Sequence, residues 1–380
     1  MKSKISPAGI YIHIPFCEKK CEYCDFYSIT QLNQINQFID ALLIEIDLRS
    51  QDYSDKSFHT VFLGGGTPSI LTEAQIEKIC SSLRAQFLIA ADAEVTFEAN
   101  PGTISFEKLE YFKALGFNRL SMGVQSFNEK ELQFLGRIHT VKQVYESFEN
   151  ARKAGFNNVN IDLMTAFPGL AHHSFRKSLN ECVNLDSEHI SCYTLIFEPG
   201  TPFYEKMDSG QLIRLSEELE YEYYILAQKI LQENGYKQYE VSNFAKGDKY
   251  ICRHNCIYWR HHPYLGLGPS AHSFDKNRRM GNVKSLEVYI NKLLKGELPL
   301  EMDEILSEEQ LMLEYILLNL RLKNGFELSD FRQRFGIAFE KKYVDKIKFL
   351  SDNKLLHVND RNVRLSEKGW MIADSIAANF

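Results

Sequence analysis

The sequence predicts an α/β protein, an open partial barrel of six β/α units followed by a small winged-helix-like domain. Three observations predict it. Strand-like and amphipathic helical segments alternate from the N-terminus to about residue 195. The six strands fall within roughly 200 residues, whereas a closed barrel takes eight units and about 250 residues. From about residue 304 the pattern changes to three helices and a two-strand wing.

The elements follow in order. Residues 10–14 alternate as a strand, and a cysteine-rich loop comes next. Residues 34–49 form a helix with Ile35, Phe38, Ile39, Leu42, Leu43 and Ile46 on one face. Strands are expected at 60–63, 94–98, 119–124, 159–163 and 189–195, with helices at 73–87, 106–115, 141–154 and 173–183 between them. Residues 197–300 are less regular: a long helix at 215–232, a segment at 239–244, then a loop rich in His, Cys, Tyr and Trp. Helices at 308–322, 328–335 and 339–351 lead to strands at 355–358 and 362–365 and a last helix from Glu367. This divides the chain into a barrel at 1–200, a barrel extension at 201–300 and a C-terminal domain at 301–380.

Composition narrows the function. Hydrophobic residues make up 44% of the chain and charged ones 25%, as expected of a globular protein that buries a full core. The net charge of −6 and pI near 6.0 argue against a general nucleic-acid surface, although the 339–351 helix carries lysines. No apolar run reaches the length of a membrane span, which leaves at most peripheral membrane contact, and MKSKISPAGI lacks the apolar core of a signal peptide. Eight cysteines without a secretory signal point to reduced thiols in a cytoplasmic setting. Cys80, Cys182 and Cys192 fall inside elements and read as buried thiols.

The chemistry sits in YIHIPFCEKKCEYCDFYS. Cys17, Cys21 and Cys24 are spaced C-x3-C-x2-C on one loop after a strand. Three thiolates so placed can hold three irons of a 4Fe–4S cluster and leave the fourth iron open to a small molecule. The alternative is a zinc loop, with His13 as a fourth ligand from the strand. Further motifs fall at the ends of later strands, where a parallel barrel keeps its active site. They are Gly64-Gly65-Gly66-Thr67-Pro68, Glu98 in Phe-Glu-Ala-Asn-Pro, Gln125 in Gly-Val-Gln-Ser-Phe and Asp162 in Asn-Ile-Asp-Leu-Met, while Arg137, in Gly-Arg-Ile-His, follows the fourth strand on a helix–loop segment. Glycines let the backbone approach a ligand and offer N–H groups to a carboxylate. Each of the others, taken singly, also reads as a satisfied polar group at a barrel mouth.

Together these motifs resemble the radical S-adenosylmethionine (SAM) superfamily, and within it the oxygen-independent coproporphyrinogen III oxidase branch. Tyr11 and His13, in Tyr-x-His-Ile-Pro-Phe-Cys, match that branch as well. The resemblance covers nearly the whole chain. It implies a 4Fe–4S cluster on Cys17, Cys21 and Cys24, with SAM chelated by the open iron. It places Tyr11, Tyr23, Gly65, Gly66, Thr67, Glu98, Gln125, Arg137 and Asp162 around the cofactors. It also implies an electron donor.

The branch holds a decarboxylase, which converts two propionates of coproporphyrinogen III to vinyls, and a group of heme chaperones. Phe26 stands two residues after Cys24, where the decarboxylase typically carries another cysteine, and the N-terminal extension is short. His254-Asn255-Cys256-Ile257-Tyr258-Trp259 resembles the H-N-x-x-Y-W pattern of the chaperone group, as do residues 264–273. This similarity implies heme as a further ligand, an apo-hemoprotein as recipient, and His254 as the heme-binding residue flanked by Tyr258 and Trp259. Three other readings stand beside it: packing of His254 and Trp259 against the barrel, a different metal on Cys252, His254 and Cys256, and a scaffold whose cluster never cleaves SAM.

Overall fold

The computed structural model describes residues 7–370, 372–377 and 380. Residues 1–6, on which the reading of the N-terminus partly rests, lie outside the described residues, as does Met371 beyond the last predicted helix start. The six expected strands are β1 (Ala8–Ile14), β2 (Ser57–Gly65), β3 (Leu88–Ala99), β4 (Arg119–Gln125), β5 (Val159–Thr165) and β6 (His189–Thr194). They pair in sequence order and all in parallel. Helices cover one face of the sheet. In β1, Ile10, Ile12 and Ile14 are fully buried in the apolar core that includes those helices, while Tyr11 and His13 alternate to the other side. The same period of two puts polar residues on the inner face of later strands: Asn160 donates to Ser121 Oγ at 2.7 Å, and Ser121 to Asp162 at 3.5 Å.

Helix starts follow local capping chemistry. Thr72 with Gln75, and Thr140 with Gln143, close reciprocal capping boxes at the helices Glu73–Gln86 and Val141–Lys153. Both helices begin where the sequence predicts.

The sheet is larger than expected. Among the described residues it has twelve strands, with β7 (Lys237–Gln238) and β8 (Asn243–Ala245) beyond β6, and β9 (Tyr264–Leu267), β10 (His272–Asp275), β11 (Arg278–Asn282) and β12 (Leu300–Ile305) beyond β1. It is an open sheet rather than a closed barrel. The added edge is bolted to the barrel by a buried carboxylate. Glu45, on the helix Ile35–Ser50, accepts from Gly268 N at 2.8 Å, Asn282 Nδ2 at 2.7 Å and Tyr289 Oη at 2.6 Å. This accounts for the Tyr264–Ser273 motif as a packing element beside β1.

The segment expected as a His- and Cys-rich loop is instead a helix, Arg253–Trp259, lying across the N-terminal ends of the strands. Its cap is not local. The Glu94 carboxylate on β3 accepts from Arg253 N at 3.1 Å and His254 N at 2.9 Å, two of the orphan donors of a helix start.

The C-terminal domain has its own apolar core, from Met312 to Ile376. Its wing has three strands rather than two, because β13 (Phe326–Glu327) pairs with β15 (Asn362–Leu365), which pairs with β14 (Leu356–Val358). The single helix expected at 339–351 is broken at Tyr343 into Phe339–Lys342 and Val344–Asp352.

Candidate functional site

The C-terminal ends of the parallel strands frame one cavity. Cys17, Cys21 and Cys24 line it from the loop after β1, with Tyr23, Gly65, Gly66, Thr67, Glu98, Gln125, Arg137 and Asp162 from the loop and strand ends. The cysteine loop is pinned by backbone bonds: Cys17 N donates to Ile29 O at 3.0 Å, and Gly66 N and Thr67 N donate to Ile14 O and Phe16 O at 2.8 and 2.7 Å.

The glycines are sterically required. A Cβ on Gly66 would lie 2.5 Å from Phe16 O, and one on Gly65, at φ +103°, would lie 2.5 Å from the His13 ring. The strand and the cysteine loop therefore touch through bare backbone.

The polar groups form two sets. Around the sulfurs, Thr67 Oγ1 donates to Cys17 Sγ at 3.4 Å and Arg137 Nη1 donates to Cys21 Sγ at 3.6 Å. Arg137 also donates to Asn100 Oδ1 and to Gly123 O at 2.8 Å, while its Nε is buried without a partner. Opposite them, Gly65 N donates to Glu98 Oε2 at 3.2 Å. Burial and the nearby Asp162 carboxyl push Glu98 up to about 8. Asp162 is raised by burial too, against hydrogen bonds from Asn160 and Ser191. Burial pushes the Cys24 thiol up to about 11 and raises Cys17, so metal binding must displace their protons.

Among the lining residues that the sequence reading does not single out are two polar ones on strand ends. Asn100 and Tyr193 line the cavity, and Tyr193 Oη donates to Gln125 Oε1 at 2.6 Å. Gln125 itself sits at φ +69°, beside a register shift between β4 and β5. Such a left-handed non-glycine residue re-aims a side chain at the end of a strand. Tyr193 stands at the end of the sixth strand on the inward phase, and the period of two was the available signal.

Other expectations need correction. Tyr11 is not among the residues lining the cavity. It lies one layer deeper, packed against Phe62, with its hydroxyl 3.0 Å from His13 Nδ1. His13 Nε2 is 2.7 Å from Tyr27 O, so both His13 nitrogens are spent and neither is free for zinc. His254 is equally committed: Nδ1 is 2.8 Å from Thr60 Oγ1, Nε2 is 2.9 Å from Tyr258 Oη, and the ring stacks on Phe62 at 5.0 Å. It is 1% exposed, and burial with Arg119 nearby pushes it down to about 3. Both ring nitrogens thus have hydroxyl partners in this arrangement, as packing against the barrel requires. Cys252, His254 and Cys256 do not converge either: among the described residues no three His, Cys, Asp or Glu side chains gather around a point for a single metal ion.

Fold, cysteine loop and cavity together define the radical SAM class. Residues 11–182 match the Radical SAM superfamily model, and residues 306–372 match the HemN C-terminal domain. The heme chaperone HemW of Bacillus subtilis is 35% identical over 97% of this chain and 98% of its own length. That of Lactococcus lactis is 34% identical over 98% and 97%. The solved structure of coproporphyrinogen III oxidase (HemN) from Escherichia coli, described as a radical SAM enzyme, superposes with a TM-score of 0.86 at 26% identity, covering 98% of this chain and 89% of that one. The chain belongs to the HemW family of radical SAM proteins.

The superfamily implies a 4Fe–4S cluster and SAM, and the residues present fit both. The donor set near Arg137 is three soft sulfurs on one loop, spread around a cavity. The orphaned Arg137 Nε and the bare glycine backbone beside it suit the carboxylate and amine of a bound amino acid.

Proposed function

We propose that this chain is a heme chaperone, which binds heme and passes it to apo-hemoproteins, and carries a 4Fe–4S cluster and SAM at the upper end of its barrel. The observation that carries this reading is full-length similarity to HemW proteins, over 97% of this chain. Phe26 supports it locally. It lines the cofactor cavity, 62% exposed, where the decarboxylase branch places a further cysteine.

In this reading Cys17, Cys21 and Cys24 hold the cluster. Arg137 faces the SAM carboxylate, the Gly65–Gly66 backbone and Thr67 its amino end, and Glu98, Gln125, Asp162 and Tyr23 close the remaining sides. When bound and reduced, the cluster supplies one electron beside SAM. The protein's own part is to orient that pair, to keep Glu98 protonated at neutral pH as a donor to a ligand oxygen, and to restrict water at the strand ends. A separate electron donor would be needed as a partner of the cluster. A reducing cytoplasm suits the free thiols, and no described helix is long and apolar enough to cross a membrane.

The reading is tested by anaerobic incubation of the cluster-loaded protein with SAM, reductant and coproporphyrinogen III. A chaperone gives no protoporphyrinogen IX. Repeated turnover would make the chain a decarboxylase instead.

A further inference from the structure

With His254 committed, the heme needs another seat. A candidate is a cavity of about 880 Å³ between the helix Arg253–Trp259 and the C-terminal domain. It lies below the barrel: Tyr239, on its wall, bonds at 2.9 Å to His189, the first residue of β6. Its volume is at the upper end of the ~300–1,000 Å³ range of ligand sites, which favour domain interfaces.

Its lining has the three kinds of group that heme requires. The first is an iron ligand. His262 lines the cavity, and among the described residues its ring makes no hydrogen bond or ring contact. Burial, then Arg260 and Arg334, push this imidazole down to about 4, so it is neutral and competent to bind iron at neutral pH. The second is an apolar wall, supplied by Tyr315, Phe326 and Leu322. The third is cationic. Arg260 makes no ion pair among the described residues. Among the described residues Arg334 donates only to His261, at its O (3.0 Å) and Nδ1 (3.1 Å), and lies over the Tyr315 ring at 5.3 Å. Glu327 also lines the cavity but is held by Arg361 at 2.9 Å; Asp330 is the remaining acid there.

We propose that heme binds in this interdomain cavity, with His262 as its iron ligand and Arg260 and Arg334 facing its propionates. The proposal rests on the heme-chaperone reading and gives that reading its site.

The test is a titration of the cluster-loaded full chain with ferric heme, followed by the electron paramagnetic resonance of the ferric iron and by affinity. The wild type gives a saturable histidine-ligated signal. His262→Ala changes that signal and weakens binding about tenfold or more. An unchanged signal and affinity in His262→Ala would overturn the site while leaving the chaperone reading intact. Absence of heme binding by the loaded wild type would instead overturn the chaperone reading itself. Arg260→Ser guards against a folding artefact, because Arg260 is exposed. It weakens binding of heme but not of heme dimethyl ester, whose propionates are blocked. Equal loss for both ligands, or loss for neither, would overturn the propionate assignment.

Discussion

At the scale of the residue, the site works by burying groups that titrate. Glu98 is the sharpest case. Its folded pKa, about 8, lies above the unfolded carboxylate value of 4.5, so the folded chain holds a proton that the unfolded chain releases. The stability this contributes is complete below pH 4.5 and is lost as pH rises through about 8. Thermal melts of the unloaded protein across that window should fall with pH, and Glu98→Gln, neutral at every pH, should flatten the slope. His254 has the opposite sign. Its folded pKa of about 3 lies below the unfolded 6.5, so its contribution is present above 6.5 and is lost as pH falls toward 3. Replacing it with Ala removes two buried hydrogen bonds and a stacked ring, a cost of about 3 kcal/mol. The predicted outcome is a lower melting temperature with an unchanged heme spectrum; a lost spectrum in a folded, cluster-loaded protein would restore His254 as the ligand. Cys21→Ala should reduce cluster iron and sulfide to background, and normal loading would refute the cysteine assignment.

At the scale of the element, legibility followed locality. The strands β1 to β6 could be read because alternation, turn residues and capping boxes are written within a few residues of one another. The helix Arg253–Trp259 could not: its N-cap, Cys252, gives no side-chain cap, and the capping carboxylate is Glu94, some 160 positions earlier. Strands β9 to β12 are short, and β12 is a charged, half-exposed edge that no hydrophobic period marks. Most of the cofactor motifs were legible because they close a strand in the sequence; Arg137 instead follows the short helix Glu129–Phe134. Tyr11 misled because the inward phase of a strand does not say how deep a residue lies. The contact between β2 and the cysteine loop gives an element-scale test. Gly66→Ala forces a Cβ to within 2.5 Å of Phe16 O. Because that atom is backbone, the loop must shift, and cluster occupancy measured by iron analysis should fall although every cysteine remains. Full occupancy would show that the loop has slack.

At the scale of the molecule, the barrel separates two chemistries. The thiols and the proposed SAM residues lie at the C-terminal ends of the strands. The interdomain cavity lies at the other end, behind a plug in which Tyr11, Phe62, His254 and Tyr258 touch one another. The C-terminal domain, with its separate core, forms the outer wall of that cavity. A chaperone must release what it binds, and a cavity between two cores opens more readily than one inside a single core. The central claim is tested most directly by transfer. The cluster-loaded protein, charged with heme under anaerobic conditions, is mixed with a heme-free apo-hemoprotein, and the acceptor's heme content and activity are followed. Heme should move to the acceptor faster from the charged wild-type chain than from free heme in solution, and His262→Ala should lose that advantage. Retention of heme by the chain, or transfer no faster than from solution, would contradict that claim.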